Sequence, residues 1–111
     1  MEHTLGKTER LHKRDFRFTQ WIRAGRTFHF LLFKSKNEQR TARFGVVVSR
    51  RIKGSVKRNR IKRLLREYFR LHKHEFSRPL AYSVRVTEMP EARWDAVSRE
   101  MAVLTARVAR R

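Results

Sequence analysis

The periodicities along the 111 residues predict a single α+β domain whose elements run α-β-β-α-β-α. Two observations carry this expectation. Short segments rich in β-branched and aromatic residues alternate with longer segments whose apolar residues recur at helical spacing. The chain is also long enough for one modest core and too short for two.

Residues 1–9 are polar and expected to be loose, and the whole chain, 1–111, reads as one domain. Leu11, Phe16, Phe18, Trp21 and Ile22 predict a short first helix, closed by Gly25. "TFHFLLFK" (27–34) reads as a strand, with Phe28, Phe30 and Leu32 on one face and His29, Leu31 and Phe33 on the other. "KSKNEQRTA" then forms a polar, hairpin-like loop into a second strand, "RFGVVVS" (43–49). In "LAYSVRVT" (80–87), Tyr82, Val84 and Val86 alternate with Ser83, Arg85 and Thr87, which predicts one buried and one wet face. Pro90 breaks the chain, and Trp94, Val97, Met101, Leu104 and Val108 recur as the inner stripe of a last helix. Phe28, Phe30 and Tyr82 are assigned to the core.

The balance of 29 basic against 10 acidic residues leaves a net charge of +19. That excess repels itself, so the compact state depends on an anionic partner or on counterions. Nucleic acid is the first candidate and an anionic membrane surface the second. With no cysteine, disulfides, zinc ribbons and thiol catalysis are excluded. No apolar run has the length of a membrane span, and residues 1–15 lack the apolar stretch of a signal peptide. The expectation is a soluble, cytoplasmic protein.

The charge concentrates in residues 56–76, which resolve on a helix into two faces at about 100° per residue. Ile61, Leu64, Leu65, Tyr68, Phe69, His72 and Phe76 form one stripe; Asn59, Lys62, Arg63, Arg66, Arg70 and Lys73 lie nearly opposite, with Arg58 and Arg60 at the borders. Ser55 is the expected N-cap. A solvated helix face intersperses acids at i±4, but this outward stripe holds none, and Glu67 falls off it. The stripe therefore reads as an anion-binding face, and its arginines suit phosphate.

The segment "FGVVVSRRIKGSVKRNRIKRLLREYFR" (44–70) resembles the signature of the bacterial ribonuclease P protein subunit. Val48, Ser49, Val56, Arg58, Asn59, Arg60, Lys62, Arg63, Arg66, Glu67, Phe69 and Arg70 match in register, and "KRDF" (13–16) and the flanking elements agree. Arg50 and Arg51 stand where the family carries a lysine pair. The resemblance implies an α-β sandwich with a left-handed β-α-β crossover. It implies a partner RNA that is catalytic and a substrate, precursor tRNA, whose 5′ leader is removed. It further implies that Arg50, Arg51, Arg58, Asn59, Arg60, Lys62, Arg63, Arg66, Arg70 and Lys73 meet the catalytic RNA. A cleft made by the sheet and the first helix would hold the leader.

Single strands are bound by basic grooves with aromatic platforms. Phe16 or Phe18, with Phe33, would serve as platforms, and Ser49, Ser83 and Arg85 as polar contacts. No catalytic site is expected in the protein itself. Its aspartates are Asp15 and Asp95, its eight glutamates are scattered, and His72 and His74 are too closely spaced on a helix to face one another. His29 reads as a satisfied surface or core histidine. No cofactor or metal is expected on the protein alone; magnesium is expected for the holoenzyme. No membrane contact and no protein partner are inferred. The rival reading is a general RNA-binding protein, ribosomal or chaperone-like. A helix-turn-helix DNA reader would need a short helix one tight turn upstream, and the sequence offers none.

Overall fold

The computed structural model describes residues 10–11, 20–36, 42–76 and 80–109. Strands β1 (Ile22–Arg26), β2 (Phe30–Lys36) and β3 (Arg43–Val48) precede helix α1 (Ser55–His72), which runs into a 3-10 turn, Lys73–Glu75. Strand β4 (Leu80–Val86) and helix α2 (Trp94–Ala109) follow. The four strands form one sheet in the order β1-β2-β4-β3. β2 pairs antiparallel with β1 and β4, whereas β3 and β4 are parallel. A parallel pair needs a long crossover, and α1 supplies it.

Both helices pack on one face of the sheet. Phe30 and Leu32 of β2, Phe44 and Val48 of β3, and Tyr82, Val84 and Val86 of β4 turn to that face and are buried. They meet Ile61, Leu65, Tyr68 and Phe69 of α1, Phe76 beyond it, and Val97, Met101 and Leu104 of α2. The Phe44 ring stacks on Phe69 with centroids 4.5 Å apart, and Phe76 meets Tyr82 edge-on at 4.8 Å. A buried hydrogen bond of 2.9 Å between the Tyr68 and Thr105 hydroxyls ties α1 to α2. Burial raises the Tyr68 phenol above its ordinary value, against the opposing effect of that bond.

Several expectations are corrected. Ile22 lies in β1, and Gly25 sits inside that strand at a bulge; it ends no helix. The reason for glycine there is close approach: a Cβ would lie 3.0 Å from Leu104 Cδ2. Leu11 lies beside β3, where its N–H donates to Phe44 O at 2.9 Å. The middle of the predicted first helix, with Phe16 and Phe18, falls outside the described residues. The polar loop after β2 closes no hairpin, because β4 lies between β2 and β3. Phe28 precedes β2 in a bend and is 78% exposed, so it is no core residue. Trp94 is 38% exposed, while Ser83, expected to be wet, is buried. The N-cap is Gly54, not Ser55; its φ of 96° is the one positive φ among the described residues.

Candidate nucleic-acid interface

The basic face of α1 is positioned by its apolar one. Ile61, Leu65, Tyr68 and Phe69 are buried against the sheet and α2, so the opposite side is held outward. Asn59, Arg60, Arg63 and Lys73 are exposed, and Lys62, Arg66 and Arg70 are half-buried. Arg50 and Arg51 are exposed on the turn before the helix.

Three arginines have specific surroundings. Arg58 turns inward: its Nη1 donates to the carbonyls of Ser49 and Ile52, each at 2.8 Å, and Nη2 reaches Val48 O at 3.4 Å. Its guanidinium thereby ties the end of β3 and the following loop to the first turn of α1. Arg70 is gripped by Glu67, with Nε and Nη2 each 2.7 Å from a carboxylate oxygen. Glu67 thus reaches the basic stripe, contrary to expectation, and that hydrogen-bonded pairing holds the Arg70 guanidinium above its ordinary pKa. Arg66 is shifted the other way, first by burial and then by the like charge of Arg10. Arg10 bridges to Phe44 at the edge of β3, and Arg43 Nη2 donates to its carbonyl at 2.8 Å. Arg10 therefore extends the positive field of α1 across β3. Sequence reasoning missed it, because it falls between the polar start, 1–9, and the predicted first helix, which begins at Leu11.

The second surface is the sheet face turned away from α1 and α2. Register places Arg23, Phe33, Ser83 and Gly45 in one row across the four strands, and Arg26, Leu31, Arg85 and Val47 in the next. Phe33 and Ser49 are half-buried, Ser83 is buried and Arg85 is exposed. Phe33, Ser83 and Arg85 of the predicted cleft therefore share one face, and Ser49 follows directly on β3. Ser49 Oγ also accepts a 3.4 Å hydrogen bond from Arg51 N–H, which shapes the turn presenting Arg50 and Arg51.

Among the described residues, no group of three or more His, Asp or Glu side chains gathers where a metal could be held. The carboxylates of Glu67, Glu88 and Glu100 are engaged by Arg70, Arg51 and His29. His29, whose Nδ1 lies 2.7 Å from Glu100 Oε1, is a histidine with a partner. No helix of the described residues is long and apolar enough to cross a membrane.

Comparison with known proteins places the chain in a family. A family model described as Ribonuclease P matches residues 5–109. The ribonuclease P protein component of Syntrophus aciditrophicus is 44% identical over 75 residues, covering 66% of this chain and 63% of that protein. The component from Geotalea uraniireducens is 45% identical over 73 residues, covering 63% of this chain and 64% of the relative. The matched regions thus span a little under two thirds of these relatives' own length. Among solved structures, the ribonuclease P protein of Thermotoga maritima superposes with a TM-score of 0.72 at 24% identity, covering 90% of this chain and 97% of that one. The Staphylococcus aureus protein gives 0.64 at 24% identity, covering 94% of each chain, so the fold is shared. A matching family model along nearly the whole chain, over a helix with one buried apolar and one outward basic stripe, settles its kinship: the chain belongs to the ribonuclease P protein family.

Proposed function

We propose that the chain is the protein subunit of a ribonuclease P particle, assisting removal of the 5′ leader from precursor tRNA. The observation that carries this reading is the two-faced helix α1. Its apolar stripe is buried, while Asn59, Arg60, Lys62, Arg63 and Arg66 stand on an outward face with no acid before Glu67, and Lys73 is exposed beyond it. That face is the contact for the catalytic RNA, with Arg50 and Arg51 on the adjoining turn. Arg58 acts mainly by holding that turn, and Arg70 reaches phosphate only in competition with Glu67.

The outer sheet face takes the leader. Phe33 offers a ring to an unpaired base, and Ser49 and Arg85 offer polar and cationic groups around it. Binding here orients the strand to be cut and offsets phosphate repulsion between two RNAs. The cleavage itself belongs to the RNA subunit, with magnesium held there. Among the described residues, no group of three or more His, Asp or Glu side chains gathers to hold magnesium. The site of action is the cytoplasm.

A general RNA-binding role would use the same charge but gives no reason for the ordered arrangement on α1. The deciding experiment adds the protein to a ribonuclease P RNA and follows 5′ maturation of precursor tRNA at low magnesium. Stimulation is expected; its absence, with RNA binding intact, would favour the general role.

A further inference from the structure

The turn between β1 and β2 carries an aromatic ring on the outside of a fastened loop. Phe28 is 78% exposed, yet the backbone on either side of it is tied down. Thr27 N–H donates to Phe30 O at 2.9 Å, closing the turn. From α2, Glu100 Oε2 accepts from the Thr27 hydroxyl and from His29 N–H at 2.9 Å, while Oε1 meets His29 Nδ1 at 2.7 Å. The His29 ring then packs edge-on against Phe28, with centroids 4.7 Å apart and planes at 78°. One side of the phenyl ring is braced and the rest faces solvent. An apolar ring held in water by a rigid mount is a preorganised contact surface.

Beside the ring opens a cleft lined by Arg23, Arg26, Leu31, Arg51 and Glu88. Arg23, Arg26 and Leu31 belong to the outer sheet face, and Leu31 lies two positions, about 7 Å, along β2 from Phe33. Arg51 spans the far wall, donating to Thr87 O at 3.2 Å and Glu88 Oε1 at 3.1 Å. Among the described residues, no carboxylate pairs with Arg23 or Arg26. Three guanidiniums around one free aromatic face match the chemistry of an unpaired nucleotide, whose base stacks while its phosphates pair with arginine. Duplex RNA withholds its base faces, and a membrane surface calls for a broader apolar stripe than one ring provides.

The geometry points to a second single-strand RNA subsite at the β1–β2 turn, where Phe28 stacks a base and Arg23, Arg26 and Arg51 hold its flanking phosphates. It continues the track that begins at Phe33, so it serves leader nucleotides beyond those at Phe33; this placement rests on the leader reading above. Glu88 works against the site by occupying Arg51.

Binding of fluorescent oligouridine to the full chain, followed by anisotropy, tests the subsite directly. Phe28→Ala should weaken it roughly five- to 150-fold, the equivalent of about 1–3 kcal/mol for one stacked base. Phe28→Trp should retain or tighten it, and Glu88→Gln should tighten it by up to roughly five-fold. Unchanged affinity in Phe28→Ala, or equal loss in Phe28→Trp, overturns the stacking assignment. In the reconstituted particle, Phe28→Ala should weaken long-leader precursor tRNA and spare short-leader substrate. Equal losses on both overturn its place on the leader track. If Phe33→Ala is silent with every leader while Phe28→Ala still weakens oligouridine, the subsite stands and the leader reading at Phe33 falls.

Discussion

Glu100 and His29 meet across the gap between α2 and the β1–β2 turn, with Oε1 2.7 Å from Nδ1 and Oε2 accepting from the His29 backbone N–H at 2.9 Å. Burial pushes the Glu100 carboxyl upward, but the hydrogen bonds from Thr27 and His29 outweigh it, and its pKa ends below the ordinary value of 4.5. A carboxylate with a depressed folded pKa contributes stability that is complete above its unfolded value. That contribution is lost as pH falls through the folded one. Thermal melts from about pH 6 down to about pH 3 should therefore show stability falling below about 4.5, and Glu100→Gln should flatten that fall. Identical slopes for the two proteins would remove Glu100 from the account.

The two faces of α1 should separate stability from RNA binding. Leu65, fully buried, should cost about 2–5 kcal/mol when replaced by alanine. Arg63→Ala should leave thermal stability unchanged, and Arg66→Ala should leave it unchanged or slightly raised, since Arg66 faces the like charge of Arg10. Both arginine variants should weaken binding to the catalytic RNA. Each should also lower the salt dependence of log affinity by about 0.7–0.9, the contribution of one neutralised phosphate. Denaturant melts and a salt titration on the same preparations check both halves.

Arg58 should behave unlike its neighbours. Its loss takes the guanidinium donor from the carbonyls of Val48, Ser49 and Ile52, of which Ser49 O keeps the Ile52 N–H at 3.1 Å, so Arg58→Ala should destabilise the fold by about 1–3 kcal/mol. Lysine should rescue poorly, because one ammonium does not reproduce a fork that reaches several carbonyls. Chemical denaturation of the alanine and lysine variants decides this.

Phe33→Ala should cost about 1–3 kcal/mol in affinity for leader-bearing tRNA, with little change in salt dependence. Mature tRNA, which has no leader, should bind almost as before. Equal losses on both substrates would make Phe33 a packing residue only.

The helix face was legible in the sequence because Ile61, Leu65, Tyr68 and Phe69 keep a strict helical spacing that burial then confirms. The β1 strand was not, because Ile22–Arg26 contains little alternation and its Gly25 imitates a helix stop. Only the nearness of Leu104, far along the chain, explains that glycine. Phe28 was misread for a related reason: alternation extended past the bend at 28–29 sends the ring inward, whereas the backbone there has left the strand. The Arg70–Glu67 pair was missed, although its i,i+3 spacing offered the signal. The inward turn of Arg58 was not, since its acceptors are carbonyls that carry no side-chain signal.

The sheet order β1-β2-β4-β3 also bears on how the chain is made. The strand that joins β2 to β3 is the fourth to leave the ribosome, so β1–β2 and β3 emerge as separate pieces with a basic helix between them and their missing partner. Tyr82, Val84 and Val86 arrive together with β4 and complete the core contacts of Phe30, Leu32 and Phe44 in one step. Assembly must wait for that strand, and it joins residues far apart in the chain, which makes folding slow and nearly all-or-none. Until then the open edges of β2 and β3 are exposed to other chains. The net positive charge of the chain keeps such half-made copies apart.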